Sequence, residues 1–167
     1  MKEIDIKTIN DNFVEEIGNK NAIACARIGD SFNMCSIGWG TIGVLWSMPV
    51  MIIYVKPIRY TSKFLDNDDY FTVTFFNDDI NHKVISICGT YSGKDVNKVE
   101  KAGLKPIILE NGIIFENYRR VYVCKKIYQD QFKKENFIDG DKIINNYYLK
   151  EQPHNVYIGK IIKVLEP

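Results

Sequence analysis

Apolar positions along this chain recur mostly with strand-like spacing, and the stretches of helical spacing between them are short. Near the start, Ile9, Phe13, Val14 and Ile17 fall at helical spacing. Asn10 or Asn12 can cap that turn, and Gly18-Asn19 predicts its stop. Ala22–Ile28 is a run of small apolar residues, Gly29-Asp30 turns the chain, and Phe32–Ile37 resumes it, which predicts a hairpin. Val50–Val55 is the clearest strand, apolar on both faces, with Pro49 before it and Pro57 after it. Thr61–Leu65 reads as a short helical turn and Tyr70–Phe76 as another strand.

The second half continues in the same way. Asn81–Gly89 fits a helix with Val84, Ile85 and Cys88 inward. Asp95 reads as the cap of a short helix, Val96–Ala102, ended by Gly103. Ile107–Leu109 and Ile113–Phe115 flank Glu110-Asn111-Gly112, a hairpin signal. Asn117–Gln129 predicts a long strand with Val121, Val123 and Ile127 on one face and Arg120, Tyr122, Cys124 and Lys126 on the other. Phe132–Glu151 is polar, aromatic and loop-like, and Val156–Leu165 predicts the last strand. Strands dominate and no βαβ alternation occurs. The expected fold is mainly β, an antiparallel barrel with short peripheral helices.

Composition narrows the function classes. A chain of 167 residues is the size of one domain, here residues 1–167. It can bury roughly 70% of its unfolded surface, so no disulfide or metal is needed to hold a core. The chain has 22 Lys+Arg against 21 Asp+Glu, a net charge of +1, which argues against a nucleic-acid binder. Ten Tyr and nine Phe argue for strands and against disorder. The four cysteines form no C-x-x-C pair and there are two histidines, so no zinc site is expected. Met1–Lys7 is too charged for a signal peptide, and no apolar run reaches ~18 residues. The expectation is a soluble, cytoplasmic protein with no membrane partner.

Three loops carry candidate chemistry. Gly38-Trp39-Gly40-Thr41-Ile42-Gly43 matches G-x-G-x-x-G, but Pro49 and the strand from Val50 leave no room for the helix that a dinucleotide fold requires. A loop between strands remains, where glycines let a flat ligand approach and Trp39 or Trp46 can cover its face. Arg59-Tyr60-Thr61 follows the strongest strand. Arg59 can grip a phosphate bidentately, and Thr61 can cap the turn and offer its hydroxyl and N–H to the same anion. Ser92-Gly93-Lys94-Asp95 combines a free backbone, a positive charge and a cap. Read singly, these are a packed aromatic loop, a surface arginine and a capped turn. Together they suit a planar, phosphorylated ligand. His154 precedes the last strand and is the candidate proton handler, with His82 structural. Cys25, Cys35, Cys88 and Cys124 read as small hydrophobes, and Arg119-Arg120 and Lys125-Lys126 as a solvated strand face.

The same loops carry a resemblance. Asn33-Met34-Cys35-Ser36-Ile37-Gly38-Trp39-Gly40 resembles the N-x-M-T/S-I-x-W-G segment of flavin reductase-like, FMN-binding split-barrel proteins, the flavoredoxin branch above all. Val55-Lys56-Pro57-Ile58-Arg59-Tyr60-Thr61 resembles V-R-P-x-R-Y-T. Cys88-Gly89-Thr90-Tyr91-Ser92-Gly93-Lys94-Asp95-Val96 resembles C-G-x-x-S-G-R-D-V, followed by Lys98 and Ala102-Gly103-Leu104. His154–Ile161 resembles H-x-x-Y-I-G-E-I, with Lys160 reversing the charge of the usual Glu. Ser36 stands where Thr is common, and Lys94 where Arg is frequent, which keeps the charge and loses the fork.

The resemblance implies a split antiparallel β-barrel binding FMN near the interface of a homodimer. It implies that Asn33, Met34, Cys35, Ser36, Trp39 and Gly40 wrap the isoalloxazine ring and ribityl chain. It implies that Arg59, Tyr60, Thr61, Ser92, Gly93 and Lys94 hold the phosphate, with His154 over the ring as the catalytic candidate. The implied activity is an NAD(P)H-linked flavin reductase or flavoredoxin-like electron transfer. The alternatives are a carrier that takes electrons from a redox partner protein without a pyridine-nucleotide site, and a non-catalytic flavin- or haem-binding module.

Overall fold

The computed structural model describes residues 1–167. Its strands are β1 (Lys2–Ile4), β2 (Ala22–Ile28), β3 (Ser31–Ile37), β4 (Gly40–Leu45), β5 (Met48–Val55), β6 (Tyr70–Phe76), β7 (Pro106–Leu109), β8 (Gly112–Phe115), β9 (Tyr118–Gln131) and β10 (Asn155–Glu166). The helices are α1 (Phe13–Glu15), α2 (Tyr60–Asn67), α3 (Asp78–Thr90), α4 (Lys98–Ala102) and α5 (Gly140–Ile143). One antiparallel sheet runs β3-β2-β6-β9-β10-β5-β4, β1 adds to β10, and β7-β8 forms a separate hairpin. The expected mainly-β, antiparallel architecture is therefore what forms. The two edges of the curved sheet are β3 and β4, successive strands joined only by Gly38-Trp39. That junction is the split.

The concave interior holds Met51, Ile53, Phe71, Tyr122, Tyr157 and their neighbours, all essentially inaccessible. A second apolar layer packs α3 and α4 on the outer face of β2 and β3, through Ile23, Cys25, Met34, Val84, Cys88 and Phe115. Burial on both sides explains why β9 departs from the expected alternation. Val121, Tyr122, Val123 and Cys124 are all buried, Tyr122 and Cys124 in the interior and Val121 and Val123 against β8 and β10.

Several expected boundaries move, each for a local reason. Asn12 caps α1, its Oδ1 accepting the Glu15 N–H, and the helix runs on as a wide turn through Lys20. Gly18 lies inside that turn, and the stop is Asn21, at φ +64°. Gly40–Leu45 is a strand and not a loop, because it pairs residue for residue with β5. A two-residue turn at Trp46-Ser47, both at positive φ, closes that hairpin in the sense a twisted ribbon favours. Arg59 holds the N-cap position of α2, so Thr61 falls inside the helix. α3 starts at Asp78 after Asn77, and Asn97, not Asp95, caps α4 by accepting the Glu100 N–H. The expected loop Phe132–Glu151 contains a 3-10 turn and then α5, continued as a wide turn to Tyr148. Its aromatic residues order it, Phe137 packing on Phe132 and Tyr148.

Of the basic pairs only Lys125 is a solvated residue. Arg120 binds Glu166 at 2.6 Å and also Asp11, while Arg119 binds Asp11 and Glu16, tying the N-terminal segment to β9 and β10. Lys126 Nζ donates to the carbonyls of Leu65 and Asp66, where the C-terminal end of α2 attracts a cation.

Candidate functional site

An edge strand leaves every second backbone N–H and C=O unpaired. On β3 the Met34 N–H donates to Asn33 Oδ1 at 2.6 Å and the Met34 carbonyl accepts from Lys98 Nζ at 2.7 Å, so this residue's backbone faces away from β2. Ser36, two residues on, faces the same way, and its N–H and C=O are open to a ligand.

Two clefts follow this edge. The larger, about 700 Å³, is lined by Asn33 and Met34, by Tyr60 of α2, and by Gly93, Lys94 and Lys98. The second, about 330 Å³, is lined by Ser36, Trp39, Lys56, Arg59, Tyr147 and His154. The three loops picked out in the sequence do converge here. Arg59 Nη1 donates to the Gly89 carbonyl at 2.6 Å, bringing the start of α2 to the end of α3. Lys94 Nζ sits 5.2 Å from the centre of the Tyr60 ring. The approach is close at two glycines. A Cβ on Gly93 would meet the Asn33 amide at 2.3 Å, and one on Gly89 would meet Ser36 Oγ at 2.8 Å.

Asp30 and Asp95 stand with Lys94 and Lys98 around the larger cleft. Arg59, Lys94 and Lys98 take part in none of the ion pairs. Lys98 is buried, spanning the Met34 and Cys88 carbonyls, and burial lowers its pKa. Thr61 is completely buried beside them, and its Oγ1 has no hydrogen-bond partner. Ser92 Oγ accepts the Lys94 N–H and shapes that turn.

His154 closes the second cleft. Its ring lies 4.8 Å from that of Trp39, and Tyr147 meets Trp39 edge-on at 5.2 Å. Its Nδ1 is 2.9 Å from the buried Tyr148 hydroxyl. Burial, helped by Lys56 and Arg59 and opposed by Glu151, lowers its pKa to about 4. The imidazole is therefore neutral at pH 7. Lys56 itself pairs with Glu151.

Not every expected site residue faces the clefts. The Cys35 side chain packs in the interior and its backbone pairs with Ala24. The Met34 side chain is buried in the layer beneath α3. Gly40, Thr61 and Ser92 lie just behind the cleft walls. Trp46 sits at the tip of the β4–β5 hairpin, about 20 Å along β4 from Trp39, and cannot share a ligand with it. Burial raises the pKa of the Cys88 thiol to about 12 and that of Cys35 above its ordinary value, and all four cysteines are buried among apolar neighbours. Lys98, Lys56, Tyr147 and Tyr148 were not among the expected site residues. Lys56 and Lys98 lie within or beside quoted motifs, whereas the two tyrosines carry no local signal.

The open edge, the paired clefts and the sheet order define a split antiparallel barrel. Solved structures share it. Flavoredoxin from Methanosarcina acetivorans superimposes with a TM-score of 0.70 at 17% identity, over 100% of this chain and 76% of its own. An FMN-binding domain of a flavin reductases-like enzyme from Shewanella baltica OS155 gives 0.69 at 12% identity, over 98% and 75%. An FMN-binding protein from Thermus thermophilus with bound p-hydroxybenzaldehyde gives 0.68 at 18%, over 87% and 70%. The fold of this chain is thus the split barrel of the flavin reductase-like proteins. No family model matches the sequence, and no curated protein matches it. No helix is long and apolar enough to cross a membrane.

Proposed function

We propose that this chain is an FMN-binding flavoprotein acting in reduction or electron transfer. The observation that carries the reading is the convergence of half-buried Arg59, buried Lys98 and the Ser92-Gly93-Lys94 turn beside the open edge of β3, with neither Arg59 nor Lys98 in an ion pair. Buried Lys98 and half-buried Arg59 have no carboxylate in salt-bridge contact, and cations so placed favour an anion beside them. A phosphate supplies one. The residues present therefore fit FMN. Arg59 and Lys94 would hold the phosphate, with Thr61 and Ser92 just behind them, the Ser36 backbone and Asn33 would face the ring and ribityl chain, and Trp39 and His154 would bound the ring. FMN, when bound, supplies reversible one- and two-electron transfer. The chain orients it, neutralises its phosphate and limits water around it. The tyrosine-rich Phe132–Glu151 arm and the exposed Tyr128, Phe132 and Leu149 suit the seam of a homodimer.

An NAD(P)H-linked reductase is the finer reading. A carrier fed by a redox partner protein is the second, favoured by the Tyr147 edge, which narrows the approach to Trp39. The first test is the absorbance spectrum of the purified protein and mass identification of the heat-released chromophore. FMN is expected, and FAD alone, or no flavin under saturating addition, refutes the reading. Mixing the FMN-loaded protein with NADH or NADPH then separates reductase from carrier.

A further inference from the structure

His154 and its neighbours are built more tightly than a loop residue requires. Both His154 and Tyr148 are more than nine-tenths buried. The only acceptor within reach of the Tyr148 O–H is His154 Nδ1, at 2.9 Å, and the His154 backbone N–H approaches the same oxygen as a donor. If Nδ1 carried a proton, the phenolic O–H would be left buried without an acceptor, a loss comparable to a broken hydrogen bond. The phenol therefore donates, Nδ1 accepts, and the imidazole proton resides on Nε2. That nitrogen has no hydrogen-bond partner in the protein, and the ring lines the cleft beside Trp39. The charged groups around it are Lys56 at the end of β5, Arg59 at the start of α2, and Glu151 on the returning arm. Glu151 is engaged by Lys56 and leaves the imidazole without a carboxylate of its own.

We propose that Tyr148 is a positioning residue that fixes His154 as the neutral Nε2–H tautomer, and that this N–H binds the carbonyl oxygen of a flat organic molecule lodged against Trp39. Trp39 stays 43% exposed beside the cleft and offers that open part of its ring to a planar molecule, and a fixed neutral donor suits a carbonyl oxygen better than a carboxylate. A proton-delivering histidine needs a pKa near the working pH, whereas this one is held far below it. The assignment of the tautomer stands on the fold alone, while the carbonyl ligand rests on the reading of this edge as a flavin site.

The experiment uses the whole chain, in which His82 is the other histidine and is exposed. Nitrogen-15 NMR of imidazole-labelled protein reads tautomer and charge directly, and His82→Gln removes the second signal. A single Nε2–H tautomer, neutral down to about pH 5, is expected. In Tyr148→Phe the signal should move toward a tautomer mixture. An Nδ1–H tautomer, or a charged ring at pH 6, overturns the proposal, and so does a Tyr148→Phe spectrum unchanged from wild type. The ligand arm titrates FMN-loaded protein with p-hydroxybenzaldehyde. Tyr148→Phe should weaken it about three- to tenfold, the loss of one neutral hydrogen bond, with FMN affinity unchanged. Equal affinity in both proteins overturns the carbonyl assignment. Failure to bind FMN at all removes the flavin reading and leaves the tautomer result to be judged by itself.

Discussion

Arg59→Ala separates the proposed phosphate role of this arginine from its role in the fold. One guanidinium nitrogen, Nη1, is committed to the Gly89 carbonyl at 2.6 Å, and Nε and Nη2 make no hydrogen bond within the protein. Truncation therefore removes two things. The first is the tie between the start of α2 and the end of α3, worth about 1 kcal/mol in the ligand-free protein. For a chain of this size that corresponds to a fall of about 2–4 °C in melting temperature. The second is a charge-assisted contact to phosphate from the free edge of the fork, worth about 1.5–3 kcal/mol, or one to two decades in dissociation constant. Riboflavin lacks the phosphate, so its affinity should change little. The assay is a pair of fluorescence titrations, FMN and riboflavin, on wild type and variant, with ligand-free melting alongside. Arg59→Lys should restore part of the FMN affinity through charge and not the fork geometry. Equal losses for the two flavins would show that Arg59 acts through the fold or the ring, and the phosphate assignment would fall. No loss for either would move the phosphate to the Ser92-Gly93-Lys94 turn.

Three further outcomes are expected. Thr61→Val removes a buried, unpartnered hydroxyl without changing shape, so ligand-free stability should hold or rise by about 1 kcal/mol while FMN binding weakens; a clear loss of stability in urea would show that the hydroxyl is bonded within the protein. Gly93→Ala drives a methyl into the Asn33 amide and should cost about 1–3 kcal/mol by urea unfolding, and a neutral result would mean that Asn33 swings freely. His154 is held neutral, with its pKa lowered from 6.5 to about 4, so between those values the unfolded chain binds the extra proton. Its contribution should be complete above about pH 6.5 and lost as pH falls toward 4, on the order of 3 kcal/mol, and the slope in denaturation midpoint should flatten in His154→Gln.

How much of this was legible in the sequence follows from how local each signal is. The Ala22–Ile37 hairpin, the Val50–Val55 strand and the Glu110-Asn111 turn are written in adjacent residues, and they form where expected. β4 was hidden because Gly40 and Gly43 read as a loop, and it becomes a strand only by pairing along β5. The double burial of β9 was hidden because Tyr122 and Cys124 meet partners from β6 and β10 that no local window contains. The site divides in the same way. Arg59, Lys94, Trp39 and His154 stood out by residue type and motif. Tyr147 and Tyr148 gain meaning only when the arm after β9 folds back onto Trp39. Trp46 was placed beside Trp39 by nearness in sequence and is removed from it by the extension of β4.

The register of β5 against β10 has a consequence for the order of assembly. Asn155 pairs with Val55, so His154 reaches Lys56 and Arg59 only when strands about a hundred residues apart in the chain have zipped together. The β2–β3 and β4–β5 hairpins close early and locally, yet neither contains a finished pocket. A chain still short of its final strand on the ribosome has the Arg59 and Ser92-Gly93-Lys94 loops and lacks the wall that faces them. On the proposed reading, cofactor capture is then a late checkpoint in biogenesis. A ligand that recognises only the finished pocket draws the folding equilibrium toward completion by mass action, and favours none of the earlier partial structures.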